Sequence, residues 1–197
     1  MSVPWSLSSL LVVMAIALVP RIIAVFVEPK VLPRRSSPKR RDLFAVDPSL
    51  PAHETLARYW AYGGDHPKPF PAVETAIHDL EQRYGIVLPA DFRTYLLHVA
   101  PEEDHWDEGD ATWWPLSRIH NIPEEYEHPL KNPVVAAMAG RCLFFADYMI
   151  WCWAWVICCE EGDFYGKVAV IGSDDRWVAD SFTDFVRKYV ADPLSVC

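Results

Sequence analysis

The densest grouping of charged and aromatic side chains lies between residues 102 and 114. Glu102, Glu103, Asp104, Asp107, Glu108 and Asp110 alternate with Trp106, Trp113 and Trp114. Carboxylates interleaved with indoles suit recognition of a positively charged protein surface, because charge steers the encounter and large aromatic side chains anchor it. Glu102, Glu103, Asp104, Trp106, Asp107, Trp113 and Trp114 are therefore the candidate partner-binding residues. The simpler alternative is a solvated acidic loop that keeps the chain soluble.

Catalytic chemistry has no comparable grouping. The chain lacks a Gly-x-Ser-x-Gly elbow, a phosphate-binding glycine loop, a His-Glu-x-x-His pair and a Cys-x-x-Cys pair. His78 and Glu81 share a helical face, but a metal needs further ligands. His105, His120 and His128 follow no ligand spacing. Asp147, at the end of an apolar run, reads as a turn cap. Cys142, Cys152, Cys158, Cys159 and Cys197 are odd in number, and four of them sit in strand-like patterns, as buried free thiols do in a reducing compartment. The sequence thus reads as non-enzymatic, with no cofactor and no metal.

Charge narrows the partner. From Asp42 onward, 11 Lys and Arg face 26 Asp and Glu, a net −15. Phosphate binding needs a basic footprint, so nucleic acid is excluded, and a basic protein is the favoured class.

The elements that position these residues follow from periodicity. Pro71 opens a helix whose apolar stripe is Val73, Ala76, Ile77, Leu80 and Tyr84, and Gly85 ends it. Pro89 opens a second helix, with Asp91 in its first turn and Phe92, Tyr95, Leu96 and Val99 inward, before Pro101 stops it. Cys142–Tyr148, Ile150–Cys159, Lys167–Gly172 and Arg176–Ala179 read as strands. Alternation places Trp151, Trp153, Trp155 and Ile157 on one face, and Cys152, Ala154, Val156 and Cys158 on the other. Both sets are apolar, so that strand is central; its tryptophans are expected beneath the helices, the alternative being that one or two of them rim an exposed anchor surface. Ser181 caps a closing helix with Asp184 three residues on, and Phe182, Phe185, Val186, Tyr189 and Val190 form its inner face. The fold class is α+β: an antiparallel or mixed sheet with helices packed on one face.

In their order, residues 77–99, then the acidic loop, then 113–119, 143–157, 165–172 and 178–190 resemble the SUKH superfamily, which groups bacterial toxin-immunity proteins with fungal cell-wall regulators. The resemblance runs from about Pro69 to Pro193. It rests most on Tyr84-Gly85-Ile86-Val87-Leu88-Pro89-Ala90-Asp91-Phe92 and on Asp180-Ser181-Phe182 leading to Phe185. Ala100-Pro101-Glu102-Glu103-Asp104 departs from it, since a glycine-containing turn is expected there. The resemblance implies a protein that works by binding: an immunity protein that neutralises a basic toxin domain, often a nuclease. The alternative it implies is a membrane-associated regulatory or scaffolding protein like the fungal members.

The N-terminus bears on that alternative. Residues 5–27 are almost wholly apolar apart from Arg21 and are long enough to cross a bilayer core of about 30 Å. No basic residue precedes them, so they do not read as a cleavable signal. Six basic residues from Lys30 to Arg41 would keep the downstream part in the cytoplasm. The expected organisation is an anchor over 1–28, a Pro-rich basic linker over 29–48, an accessory helix within 49–68 and the α+β domain over 69–197, tethered to the inner membrane by one span. A start assigned too far upstream would produce the same extension with no membrane role.

Overall fold

A computed structural model of the protein describes residues 44–64, 66, 72 and 74–197. The apolar segment over 5–27, the linker as far as residue 43, Pro71 and Val73 lie outside the described residues. Among those described, no helix is long and apolar enough to cross a membrane.

Strand-forming runs of branched and aromatic residues build the sheet, and proline- or glycine-bounded amphipathic runs build its cover. The order is α1 (Ala52–Gly63), α2 (Glu74–Tyr84), α3 (Ala90–His98), β1 (His105–Trp106), β2 (Ala111–Trp113), α4 (Ile122–Glu125), α5 (Pro133–Ala137), β3 (Cys142–Tyr148), β4 (Trp153–Cys158), β5 (Val168–Ile171), β6 (Trp177–Ala179) and α6 (Phe182–Ala191). The described strands form one six-stranded sheet in the order β1 to β6, with every neighbouring pair antiparallel.

The larger core lies between the sheet and α1, α2, α3 and α6, and includes Leu56, Trp60, Ile77, Phe92, Tyr95, Trp113, Phe145, Trp155, Phe182, Phe185 and Tyr189. Burying each such aromatic or aliphatic side chain contributes roughly 1.5–3 kcal/mol. A smaller cluster on the opposite face, with Trp114, Phe144, Val156 and Ile171, is covered by α4, α5 and the connection between them.

Two irregularities decide which side chains reach which face. In β3, Phe144 lies opposite Val156 and Ala146 opposite Trp155, so Phe145 is an extra, bulged residue. The bulge resets the alternation: Phe145, Ala146 and Tyr148 join the larger core, while Asp147 turns to the smaller cluster. The second irregularity corrects the sequence reading of Trp151. The strand starts at Trp153, not Ile150, because Met149, Ile150 and Trp151 are all left-handed, with φ of 45°, 55° and 65°. Trp151 therefore packs with the smaller cluster, opposite to Trp153 and Trp155, and Cys152 is exposed in the turn.

The two blocks that carry the family resemblance meet in space. Gly85, at φ +62°, closes α2 with the paired hydrogen bonds Ile86 N–H to Glu81 C=O (3.0 Å) and Gly85 N–H to Gln82 C=O (3.3 Å), a Schellman arrangement that favours glycine. The Glu81 carboxylate then accepts the Leu88 N–H at 2.9 Å and fixes the link into α3. At the far end of the chain, Ser181 Oγ accepts the Asp184 N–H at 3.0 Å, and Asp184 in turn accepts the Asp180 N–H at 3.0 Å. Asp91 joins the two helices by accepting both the N–H (2.8 Å) and the hydroxyl (2.9 Å) of Thr183, and Phe92 packs edge-on to Phe182 at 5.1 Å.

Candidate protein-binding surface

The stretch read as an acidic loop is a β-hairpin folded around one of its own carboxylates. Asp107 is 2% exposed. Its Oδ1 accepts the Gly109 N–H (2.7 Å), the Ala111 N–H (3.3 Å) and the Tyr189 hydroxyl (2.6 Å), and its Oδ2 accepts the indole N–H of Trp113 (2.8 Å) and of Trp60 (3.2 Å). Burial pushes this carboxyl up from the ordinary aspartate range, against the downward pull of those hydrogen bonds. The turn admits no larger residue at Gly109, where a Cβ would stand 2.1 Å from the Tyr189 hydroxyl.

Three of the candidate residues are therefore interior. Asp107 joins the hairpin to α1, β2 and α6. Trp113 is fully buried in the larger core between Trp60, Tyr95, Phe145 and Tyr189. Trp114 is fully buried in the smaller cluster, where its indole N–H donates to Asp147 Oδ2 at 2.7 Å. None of the three presents a side chain to a partner. The cause is the hairpin: its turn folds Asp107 inward, and Trp113 at the end of β2 and Trp114 just after it point to opposite faces of a sheet that is covered on both.

The other four are at the surface. Glu102, Glu103 and Asp104 are exposed, and Trp106 on the edge strand β1 is 46% exposed. Asp104 is paired with Arg118 at 2.5 Å, and the Arg118 guanidinium lies 3.9 Å over the Trp114 ring and 3.8 Å from Asp147. Sequence reasoning missed Arg118, which ties a surface carboxylate to a buried one. Asp147 does cap a turn, accepting the Trp151 N–H at 3.1 Å, but it also receives the Trp114 indole.

Glu102 stands beside a cleft of about 580 Å³ between α2 and the segment after β2. Leu80 and Ile119 are buried at its base, and Asp79 and Arg83 are exposed at its mouth with Glu102. An apolar base under a mouth of two carboxylates and one guanidinium suits an apolar side chain from a partner. Cys142, Cys158 and Cys159 are buried free thiols, and burial pushes Cys159 upward. Among the described residues no group of three or more His, Cys, Asp or Glu is placed to hold a metal ion.

The described residues thus form an α+β domain whose all-antiparallel sheet is covered by helices on both faces. The profile of the SMI1 / KNR4 family (SUKH-1) matches residues 71–188, and the chain belongs to that family. No curated protein matches the chain.

Proposed function

We propose that this protein is a non-catalytic binding domain of the immunity type, which neutralises a basic toxin domain by covering it with an acidic surface. Membership of the SMI1 / KNR4 family supports an immunity-like or regulatory domain. The observation that carries the finer reading is the exposed run Glu102, Glu103 and Asp104, with Glu102 at the cleft, on a part of the chain with 11 basic against 26 acidic residues. A surface of that sign attracts a basic partner from solution and raises its association rate. Affinity capture with the full chain at low salt tests this. A stoichiometric basic protein, whose own toxic activity falls on addition of the chain, is expected. Retention of only acidic proteins, or capture that leaves the partner's activity unchanged, contradicts it.

A further inference from the structure

Among the described residues, five non-glycine residues have φ in the left-handed region. Four of them, Asp110, Met149, Ile150 and Trp151, sit in two turns joined by a hydrogen bond from the Met149 N–H to the Asp110 carbonyl at 3.0 Å. Ile150 is the most costly of these, because a β-branched side chain crowds its own backbone in that region. The β3–β4 turn is closed by the Cys152 N–H on the Tyr148 carbonyl at 2.9 Å and pinned from inside by Asp147 on the Trp151 N–H. Glycine or asparagine would adopt this backbone with less strain. The chain instead places two large apolar side chains there and holds them in water: Met149 is 49% exposed and Ile150 83%. Strain of this kind concentrates where a geometry is used.

The turn borders a second cleft, of about 550 Å³, lined by Glu125, Tyr126, Glu127, His128, Trp151 and Cys152. Tyr126 stacks on Trp151 with ring centroids 6.1 Å apart and planes 6° apart. Glu127 is exposed, while Glu125 lies 3.4 Å from His120. Aromatic faces beside carboxylates hold a guanidinium or ammonium group by cation–π attraction and charge-assisted hydrogen bonds. Trp106 shares this face, since Trp106, Thr112, Asp147 and Ala154 lie directly opposite one another across four strands.

We infer that the Met149–Trp151 turn and the Glu125–His128 cleft form the anchor surface for a basic protein. Met149 and Ile150 seat in an apolar recess of that partner, and the cleft takes one of its Lys or Arg side chains. The inference rests on the acidic-surface function proposed above, and it supplies the apolar anchors that the buried Trp113 and Trp114 do not.

The test uses the full chain and a defined probe, a short peptide of four arginines flanking a central leucine. In an amide NMR titration, the expected result is shifts at Glu127, His128, Ile150 and the Trp151 indole that exceed those at the exposed control Glu161. Shifts spread evenly over acidic positions overturn the inference. Ile150→Gly relieves the left-handed strain and removes the anchor, so it is expected to raise the melting temperature while weakening binding of the basic partner by tenfold or more. Glu127→Lys is expected to weaken binding similarly with the melting temperature unchanged. If the wild-type chain binds a basic partner and both variants bind it equally well, the inference falls and the proposed function stands; if the wild-type chain binds no basic protein, both fall.

Discussion

Asp107 shows how a residue's neighbours in sequence mislead about its surroundings in space. It lies in a run of six acids, and its carboxylate is met by two backbone amides, two indoles and a phenol. Trp60 and Tyr189 come from 47 and 82 residues away, so nothing local distinguishes Asp107 from Asp104. Asp107→Asn places an amide NH2 among groups that are all donors. A buried donor left unpaired costs about 1–3 kcal/mol, so urea unfolding of this variant is expected to show a loss of about 3 kcal/mol. Gly109→Ala should be destabilising by about 2 kcal/mol or more, because the new methyl group displaces the Tyr189 hydroxyl from the same carboxylate. A variant at either position that keeps wild-type stability would remove Asp107 from the centre of the hairpin.

At the scale of elements, the helices and long strands were legible and the turns were not. The Cys142–Tyr148 strand and the Ser181 cap follow from residue types within a few positions, since branched and aromatic density makes a strand and a hydroxyl before an amphipathic run makes a cap. The two- and three-residue strands β1 and β2 carry too little pattern to see, and they form because Asp107 closes the turn between them. The face of Trp151 was misjudged because three left-handed residues without a glycine give no local signal. Asp91 was visible as a first-turn acid, but its bonds to Thr183 depend on the fold. Asp91→Ala is expected to cost about 1–2 kcal/mol and to lower amide-exchange protection at the start of α6. Asp184 adds a pH dependence. Burial raises its pKa, but hydrogen bonds from Lys188 and the Asp180 N–H, with the charges of Lys188 and Arg187, outweigh this and hold it below the ordinary value of 3.8. A lowered carboxyl stabilises the fold above its unfolded value and loses that contribution as pH falls through the folded one. Asp184→Asn should therefore flatten the acid limb of the stability curve below about pH 4, with wild-type and variant converging at the acid end; parallel curves would exclude this role.

For the whole molecule, the candidate site was legible in charge and only partly in residues. The net −15 from Asp42 onward is a property of composition and needs no fold to be read. The anchors were misassigned because tryptophan is favoured both in cores and at interfaces, and only the two-sided cover of the sheet shows that Trp113 and Trp114 are interior while Trp106 is not. Binding by an acidic surface makes a kinetic prediction, since steering acts on the encounter and is screened by salt over about 10 Å at 0.1 M. The most direct test is the association rate of the full chain with its captured basic partner across ionic strength, for the wild type and for Glu102→Lys/Glu103→Lys. The acidic surface predicts a slower variant at low salt, by tenfold or more, with the two rates converging as salt rises and dissociation little changed. Equal association rates at every ionic strength would contradict it.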